Sequence, residues 1–499
     1  MNRFALLPAL HLTKMQTTIF ILFLTVSLTI FLYNTSSSPH DDPYAQTFER
    51  LKELRQEKKL QTLKYFRTIE TSAQRLNGDK ILKKYFVQNV SSRDDYDPQS
   101  QYEIDKHFIK NYGNFYDLLF VDTSGFVFHS IRQEDDFRKN LFDGDLGNTN
   151  LAKVLKGNRQ IEFSEYEYYY PSDEPATFFI VPVSLNDNHL GWFILQCAIN
   201  KVNTILTDRH EMGRTEEVYL VNQDMLMLSD SRFIEDGTIL KLKVDTETVR
   251  QALDSESGES MITDYRGQLV YSAFEKFQYF NTDWIIISEI DEAEVITEHY
   301  KRHKQFFNAA IIDLLSTKEH HAIEGGVEND LGIKVDINEW AKGESGQVLK
   351  TLGVSTCTAF AIQYPGKFAY LAHISSLDKG YGLSGLASLL LRDKSTDFIG
   401  ELLKRVSYYD IYPSELSNLG FLIVATHVNS FPSIVDRLLE QDIELDKIRF
   451  IYNPNSRSGA LTIDVSKNDV KIFWYGDASI EVDNASEYQN LGEIVKGLI

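Results

Sequence analysis

The chain has 499 residues, with 51 Lys and Arg against 72 Asp and Glu, a formal net charge of −21. That size allows about three domains, and the acidity argues against a nucleic-acid partner, which needs clustered positive charge. Two cysteines, Cys197 and Cys357, exclude a disulfide framework and a cysteine-built zinc site.

Residues 18–33 form an uncharged apolar run, TIFILFLTVSLTIFLY, the core of an expected anchor at 18–34, preceded by Arg3 and Lys14 and followed by Asp41 and Asp42. The run is near the lower length limit for a spanning helix, ~17 residues. No small-x-small cleavage site follows it clearly, so an uncleaved anchor is favoured over a signal peptide. Positive charge ahead of the run predicts that residues 1–17 are cytoplasmic and that the bulk of the chain is periplasmic or extracellular, as in a single-pass inner-membrane protein. Residues 44–78 then read as one long helix. Phe48, Leu51, Leu54, Leu60, Leu63, Phe66, Ile69, Ala73 and Leu76 make an apolar stripe, which packs on its own domain or serves as a homodimer seam, uses that are compatible.

From about residue 111 to 298 the pattern changes to strands and turns. DLLFVDTSGFVFHSI holds two apolar strands around Asp122-Thr123-Ser124-Gly125, and EVYLVNQDMLMLSD repeats the plan around Asn222-Gln223-Asp224. Such repetition suggests a duplicated α/β module. With the terminal run LVYSAFEKFQYFNTDWIIISEIDEAEV, residues 44–299 resemble the double Cache domains of bacterial chemoreceptors and sensor kinases, which implies PAS-like α/β modules and extracytoplasmic sensing of a small ligand, usually in the membrane-distal module. In FSEYEYYYPSDEPATFFIVPV, Tyr166, Tyr168, Tyr169, Tyr170 and Asp173 stand beside a strand. Tyrosines with a carboxylate can clamp an amine, although aromatic residues are also ordinary strand material. The Tyr-x-Arg plus Trp arrangement of the amino-acid-binding subset of the family is missing. Cys197, in GWFILQCAI, reads as a buried strand residue.

A receptor of this kind usually has a second span after the sensor. Here KRHKQFFNAAIIDLLSTKEHH has an apolar core broken by Asp313, too short to cross a membrane. Residues 300–337 are expected to form a linker, with His320 and His321 solvated, since no further metal ligand lies nearby in sequence. Neither a metal nor a cofactor is expected.

The last segment contains TLGVSTCTAFAIQYPGKFAYLAHI, residues 351–374. Two strand-like runs flank Pro365-Gly366, so a β-hairpin is expected. With a loop of Pro365-Gly366-Lys367, Tyr364 pairs with Phe368, His373 faces Ala359, and Cys357 becomes its diagonal neighbour on the same face, roughly 7 Å away. A two-residue loop would send Cys357 and His373 to opposite faces. An imidazole that takes a thiol's proton makes a nucleophilic thiolate, and Thr351 stands where a hydroxyl can orient the ring. TLGVSTC followed by AH resembles the signature of CheD, the chemoreceptor glutamine deamidase family, over residues 338–499. The resemblance implies a nucleophile at Cys357, a base at His373 and a catalytic threonine at Thr351. Ser355 and Thr356 depart from the family's glycine and serine. The family's glycine-rich turn would fall near Asn453–Gly459. A helix over 384–406, strand GFLIVATH, helix PSIVDRLLEQ and strands KIRFIYN, ALTIDV and VKIFWYG complete an expected α/β sandwich. His427 ends a buried strand and could approach the site, although a structural role is the simpler reading.

Altogether the chain reads as an α/β (α+β) protein: a membrane-anchored sensor whose C-terminal domain hydrolyses glutamine side-chain amides of a protein substrate, a chemoreceptor-like partner. The alternative is a sensor or scaffold in which that domain only binds a partner.

Overall fold

A computed structural model describes residues 42–91, 97–156, 159–197, 200–210, 212–323, 332–375, 398–411, 415, 418–428, 431–476 and 479–499. The expected span at 18–34 and the first part of the helix expected over 384–406 lie outside the described residues. Among the described residues no helix is long and apolar enough to cross a membrane. The architecture is mixed α+β and divides into two compact units, one of residues 44–292 and one that includes residues 293–499.

The first unit opens with helix α1 (Pro43–Asn77), followed by α2 (Lys80–Asn89) and α3 (Pro98–Tyr112). Asp79 and Asp97 cap α2 and α3 by accepting hydrogen bonds from N–H groups of their first turns. The buried stripe of α1 runs through Leu51, Arg55, Lys58, Thr62, Phe66, Ile69, Ala73 and Leu76. This corrects the expected stripe at one turn, because Leu60 is 55% exposed and two cations take the inward positions. Lys58 Nζ donates to the carbonyls of Ile205 (2.8 Å) and Asp208 (3.0 Å), and Arg55 donates to Phe274 O at 2.8 Å. Carbonyls at a helix end have no intrahelical partner and attract cations.

Two antiparallel sheets follow. The first is built from β1 (Phe115–Asp122), β2 (Val127–Ser130), β3 (Glu162–Phe163), β4 (Glu167–Tyr169), β5 (Glu174–Leu185) and β6 (Asn188–Cys197), with helix α4 (Asn150–Leu155), in the order β2-β1-β6-β5-β3 and β4 on β5. After α5 (Asn200–Thr207) the second comprises β7 (Glu217–Val221), β8 (Ser257–Thr263), β9 (Leu269–Tyr279) and β10 (Thr282–Asp291), with α6 (Glu247–Asp254), in the order β7-β10-β9-β8.

The duplication expected from the sequence is visible in hydrogen bonds. Asp122 Oδ1 accepts from the N–H groups of Ser124 and Phe126, and Asn222 Oδ1 accepts from those of Asp224 and Leu226. The turns share a positive φ, +88° at Gly125 and +63° at Met225. A buried carboxylate at the start of each strand also repeats. Asp117 accepts from Arg132 N at 3.1 Å and Glu217 from Arg232 N at 2.7 Å.

The second unit begins with α7 (Glu292–Arg302) and α8 (Lys304–Ser316), the latter burying Phe307, Ile311 and Leu315. Strand β11 (His321–Ile323) is an edge strand of a sheet ordered β11-β21-β20-β19-β14-β12, whose other members are β12 (Ile333–Lys334), β14 (Val348–Val354), β19 (Ser458–Asp464), β20 (Asp469–Tyr475) and β21 (Ile480–Asn484). Much of the stretch expected as a linker is therefore folded. The other sheet, β13-β16-β15-β17-β18, comprises β13 (Glu339–Glu344), β15 (Thr358–Tyr364), β16 (Phe368–Ile374), β17 (Gly420–Ala425) and β18 (Ile448–Tyr452). Helices α9 (Phe398–Tyr409), α10 (Phe431–Leu439) and α11 (Leu491–Leu498) complete the unit. Strand β16 is buried at every position, which is why it reads as a continuous apolar run rather than an alternation.

Candidate functional site

Hairpin β15–β16 has the three-residue loop. Tyr364 pairs with Phe368, and Ala359 with His373. Gly366 takes φ +72°, the left-handed conformation that closes such a loop. Cys357 lies one residue before β15, outside the paired register and two positions from Ala359, the partner of His373. It is 7% exposed, and His373 is fully buried.

Thr351 comes from the other sheet. Strand β14 pairs Thr351 with Leu461 and Val354 with Gly459, so one extra residue is accommodated between them, a β-bulge with Gly353 at φ +77°. Past the bulge the chain turns through exposed Ser355 and Thr356 to Cys357. Thr351 Oγ1 lies 2.8 Å from His373 Nδ1 and 2.8 Å from Val335 O. A carbonyl only accepts, so the single hydroxyl proton of Thr351 goes to Val335. The ring must then donate from Nδ1 to Thr351, which leaves the lone pair on Nε2. Thr351 thus selects the tautomer whose Nε2 is a base.

Three contacts that spacing did not suggest hold this arrangement. Val335 is fixed because its N–H donates to Lys350 O at 2.8 Å. Asn338, at φ +63°, donates from its backbone N–H to His373 O at 2.7 Å and accepts from Ser375 N at 3.0 Å, clamping both sides of the histidine. Thr426 Oγ1 donates to Ser355 O in the cysteine loop. Only an N-P-N-S-R-S-G run hinted at the fourth element, where buried Asn453 accepts from Asn455 N and donates to Glu481. His427 is exposed, two residues past β17. Ser355 N–H is bonded to Gly353 O at 2.9 Å, so it is already committed inside the loop.

The tyrosine set of the first unit is divided. Tyr166 is 3% exposed and packs on Trp284, with ring centroids 5.8 Å apart. Tyr168 is 52% exposed and donates to Asp173, while Tyr170 is 38% exposed. Tyr169, fully buried, donates to Asp136 Oδ2 at 2.8 Å. Asp136 itself is 1% exposed, and its Oδ1 has no hydrogen-bond partner among the described residues. Burial pushes its carboxyl up to about 6, against the stabilising Tyr169 hydroxyl and with the charges of Asp117 and Glu134 adding to the rise. Burial likewise raises Asp117, whose oxygens accept from Leu118 N, Ser130 Oγ and Arg132 N. Sequence spacing gave no signal for Asp136, since the loop that carries it has no periodicity. Cys197 is buried and its thiol is pushed up by burial, as a structural residue should be. Among the described residues no cluster of three or more metal-ligating side chains occurs.

Part of the chain is similar to several solved structures. The extracellular ligand-binding receptor from Desulfohalobium retbaense matches with 14% identity and a TM-score of 0.31 over 44% of this chain, and the match spans 39% of that receptor's length. The periplasmic sensory domain of the Campylobacter jejuni chemoreceptor Tlp1 matches with 16% identity and a TM-score of 0.37, covering 51% of this chain and 98% of that domain. The ligand-binding domain of the Pseudomonas aeruginosa amino-acid chemoreceptor PctB, solved with L-Arg, matches with 15% identity and a TM-score of 0.35, covering 54% of this chain and 97% of that domain. No protein-family model matches the chain. No curated protein sequence matches it either.

Proposed function

We propose that the chain is a sensor–effector: a double Cache-like ligand-binding unit followed by a CheD-like cysteine amide hydrolase acting on glutamine side chains of a protein partner. The observation that supports the effector half is the hydrogen bond between Thr351 and His373, because it turns Nε2 into the basic nitrogen, on the strand that pairs with the one Cys357 precedes. In the reaction, Nε2 takes the Cys357 proton and the thiolate attacks the amide carbon. Ammonia then leaves with a proton from the imidazolium, and water hydrolyses the thioester to glutamate and the free thiol. The sensing half takes a small cationic ligand. Support for this comes from Asp136, a buried carboxyl with one unpartnered oxygen beside Tyr169. Of the other tyrosines, Tyr170 feels the charge of Asp136, whereas Tyr168 pairs with Asp173 and Tyr166 packs on Trp284 in a separate core cluster. The N-terminal run anchors the chain, and both units lie outside the cytoplasm.

The experiment is ammonia release from glutamine-bearing protein substrates by the full chain, with Cys357→Ala and His373→Ala as the expected inactive variants. Release by Cys357→Ala at the unsubstituted rate would overturn the hydrolase. A second reading, a scaffold that binds without catalysis, is favoured by one observation: the Ser355 N–H, a donor that could otherwise stabilise an oxyanion, is bonded within its own loop. Alkylation separates the two. A hydrolase requires Cys357 to react rapidly below pH 7 in a manner lost in His373→Ala, and a scaffold does not.

A further inference from the structure

His320, expected to be solvated in a linker, is buried. Its side chain is 7% exposed, whereas that of the adjacent His321 is 71% exposed. His320 Nδ1 lies 2.7 Å from Asp483 Oδ2. The same oxygen accepts from Trp474 Nε1 at 2.8 Å and from Tyr488 OH at 2.7 Å, so three donors from separate elements converge on one carboxylate oxygen. Asp483 is 2% exposed. A buried carboxylate with so many donors is held firmly in place, since loss of any one donor leaves a costly charge less compensated.

Trp474 links this carboxylate to the candidate site. A Cβ built on Gly459 would lie 2.9 Å from the Trp474 ring and 3.7 Å from Val354 O, so the indole lies directly against Gly459. Gly459 is the cross-strand partner of Val354, the residue at which β14 resumes its pairing after the bulge. Three residues further along stands Cys357. Every step is a direct contact: His320 to Asp483, Asp483 to Trp474, Trp474 to Gly459, and Gly459 to Val354.

We propose that His320, Asp483 and Trp474 are positioning residues for the Cys357 loop, setting where the bulge of β14 ends and hence the approach of the thiol to His373. Its consequence for catalysis rests on the hydrolase reading above. None of the three residues touches the reacting atoms.

The test uses the full chain and the variants His320→Gln and Asp483→Asn, with circular dichroism to verify folding and Gly459→Ala as a variant that pushes on the same ring from the loop side. Two readouts are taken: hydrogen exchange of the amides of 352–357, and iodoacetamide alkylation of Cys357 followed by peptide mass. Expected are faster exchange across the loop in all three variants and alkylation slowed about ten-fold or more, with its pH inflection unmoved because His373 is intact. Unchanged exchange at 352–357 in folded His320→Gln and Asp483→Asn overturns the positioning role, whatever the alkylation shows. Changed exchange in a chain whose unsubstituted Cys357 alkylates slowly and independently of His373 leaves the network standing and removes the hydrolase. A lowered melting temperature with unchanged loop exchange marks the network as structural only and also overturns it.

Discussion

Glu217 and Glu289 are direct cross-strand partners on β7 and β10, and each is 1% exposed. Like charges opposite one another on a sheet repel, and both are out of water. Glu217 accepts from Arg232 N and Tyr265 OH, while Glu289 accepts from Ser272 Oγ and Tyr219 OH. Burial pushes the Glu289 carboxyl up to about 8, with Asp264 and Glu217 adding to the rise. Raised above its ordinary 4.5, this acid holds a proton in the folded state that the unfolded chain has released. The first unit therefore loses stability as pH climbs from about 4.5 to about 8, with a slope of about 1.4 kcal/mol per pH unit for one proton. Glu289→Gln mimics the protonated form and is expected to flatten that slope in denaturant melts taken across the window. An unchanged slope would remove this pair as its source.

Thr351→Val keeps the volume of the side chain and deletes its hydroxyl. Val335 O and His373 Nδ1 then lose their shared partner, costing about 1–3 kcal/mol of stability, and the ring is free to take the tautomer with its proton on Nε2. Ammonia release and Cys357 alkylation should both fall by at least about ten-fold, while Thr351→Ser restores them. Equal rates in Thr351→Val and Thr351→Ser would show that the hydroxyl has no part in orienting the base.

Asp136 gives the first unit its own pH dependence. A cation drawn to its unpartnered oxygen competes with a proton below about pH 6. Small primary amines should raise the melting temperature of the full chain at pH 7.5 more than at pH 5, a choice of values about 1.5 units above and 1 unit below the titration. Asp136→Asn should abolish the difference, and an identical shift in that variant would move the ligand elsewhere.

Lys58 offers a test of packing alone. Lys58→Met retains the apolar stem against the core but strips the donors from Ile205 O and Asp208 O, for an expected loss of about 1–3 kcal/mol in chemical denaturation. No change would mean that water replaces the ammonium there.

Local patterns carried much of this architecture. A Pro-Gly pair between two apolar runs defined the β15–β16 hairpin, but two loop lengths were open in the sequence, one placing Cys357 and His373 on the same face and the other on opposite faces, and only the Tyr364–Phe368 pairing selects between them. Repetition of an Asx turn foretold the two sheets of the first unit. What escaped were contacts that depend on backbone atoms far away in sequence, such as Val335 O for Thr351 and the Asn338 clamp on His373. Periodicity also misled where a charge was buried, because Arg55 and Lys58 face inward to satisfy carbonyls, and it gave no reason to separate His320 from His321. Within the tyrosine run it could not tell that Tyr169, rather than its neighbours, meets a buried acid.

The pairing of β11 with β21 and the burial of Phe307, Ile311 and Leu315 bear on how the C-terminal half can be isolated. A fragment cut at residue 338, where the CheD-like resemblance starts, would strip a row of backbone donors and acceptors along β21 and bare the surfaces of β18 and α11 that α8 contacts. Raw sheet edges and apolar patches of that kind promote self-association. Excision before Ala293 keeps both covered, so a self-sufficient form of this half starts well upstream of residue 338 and further still from the TLGVSTC motif that announces it.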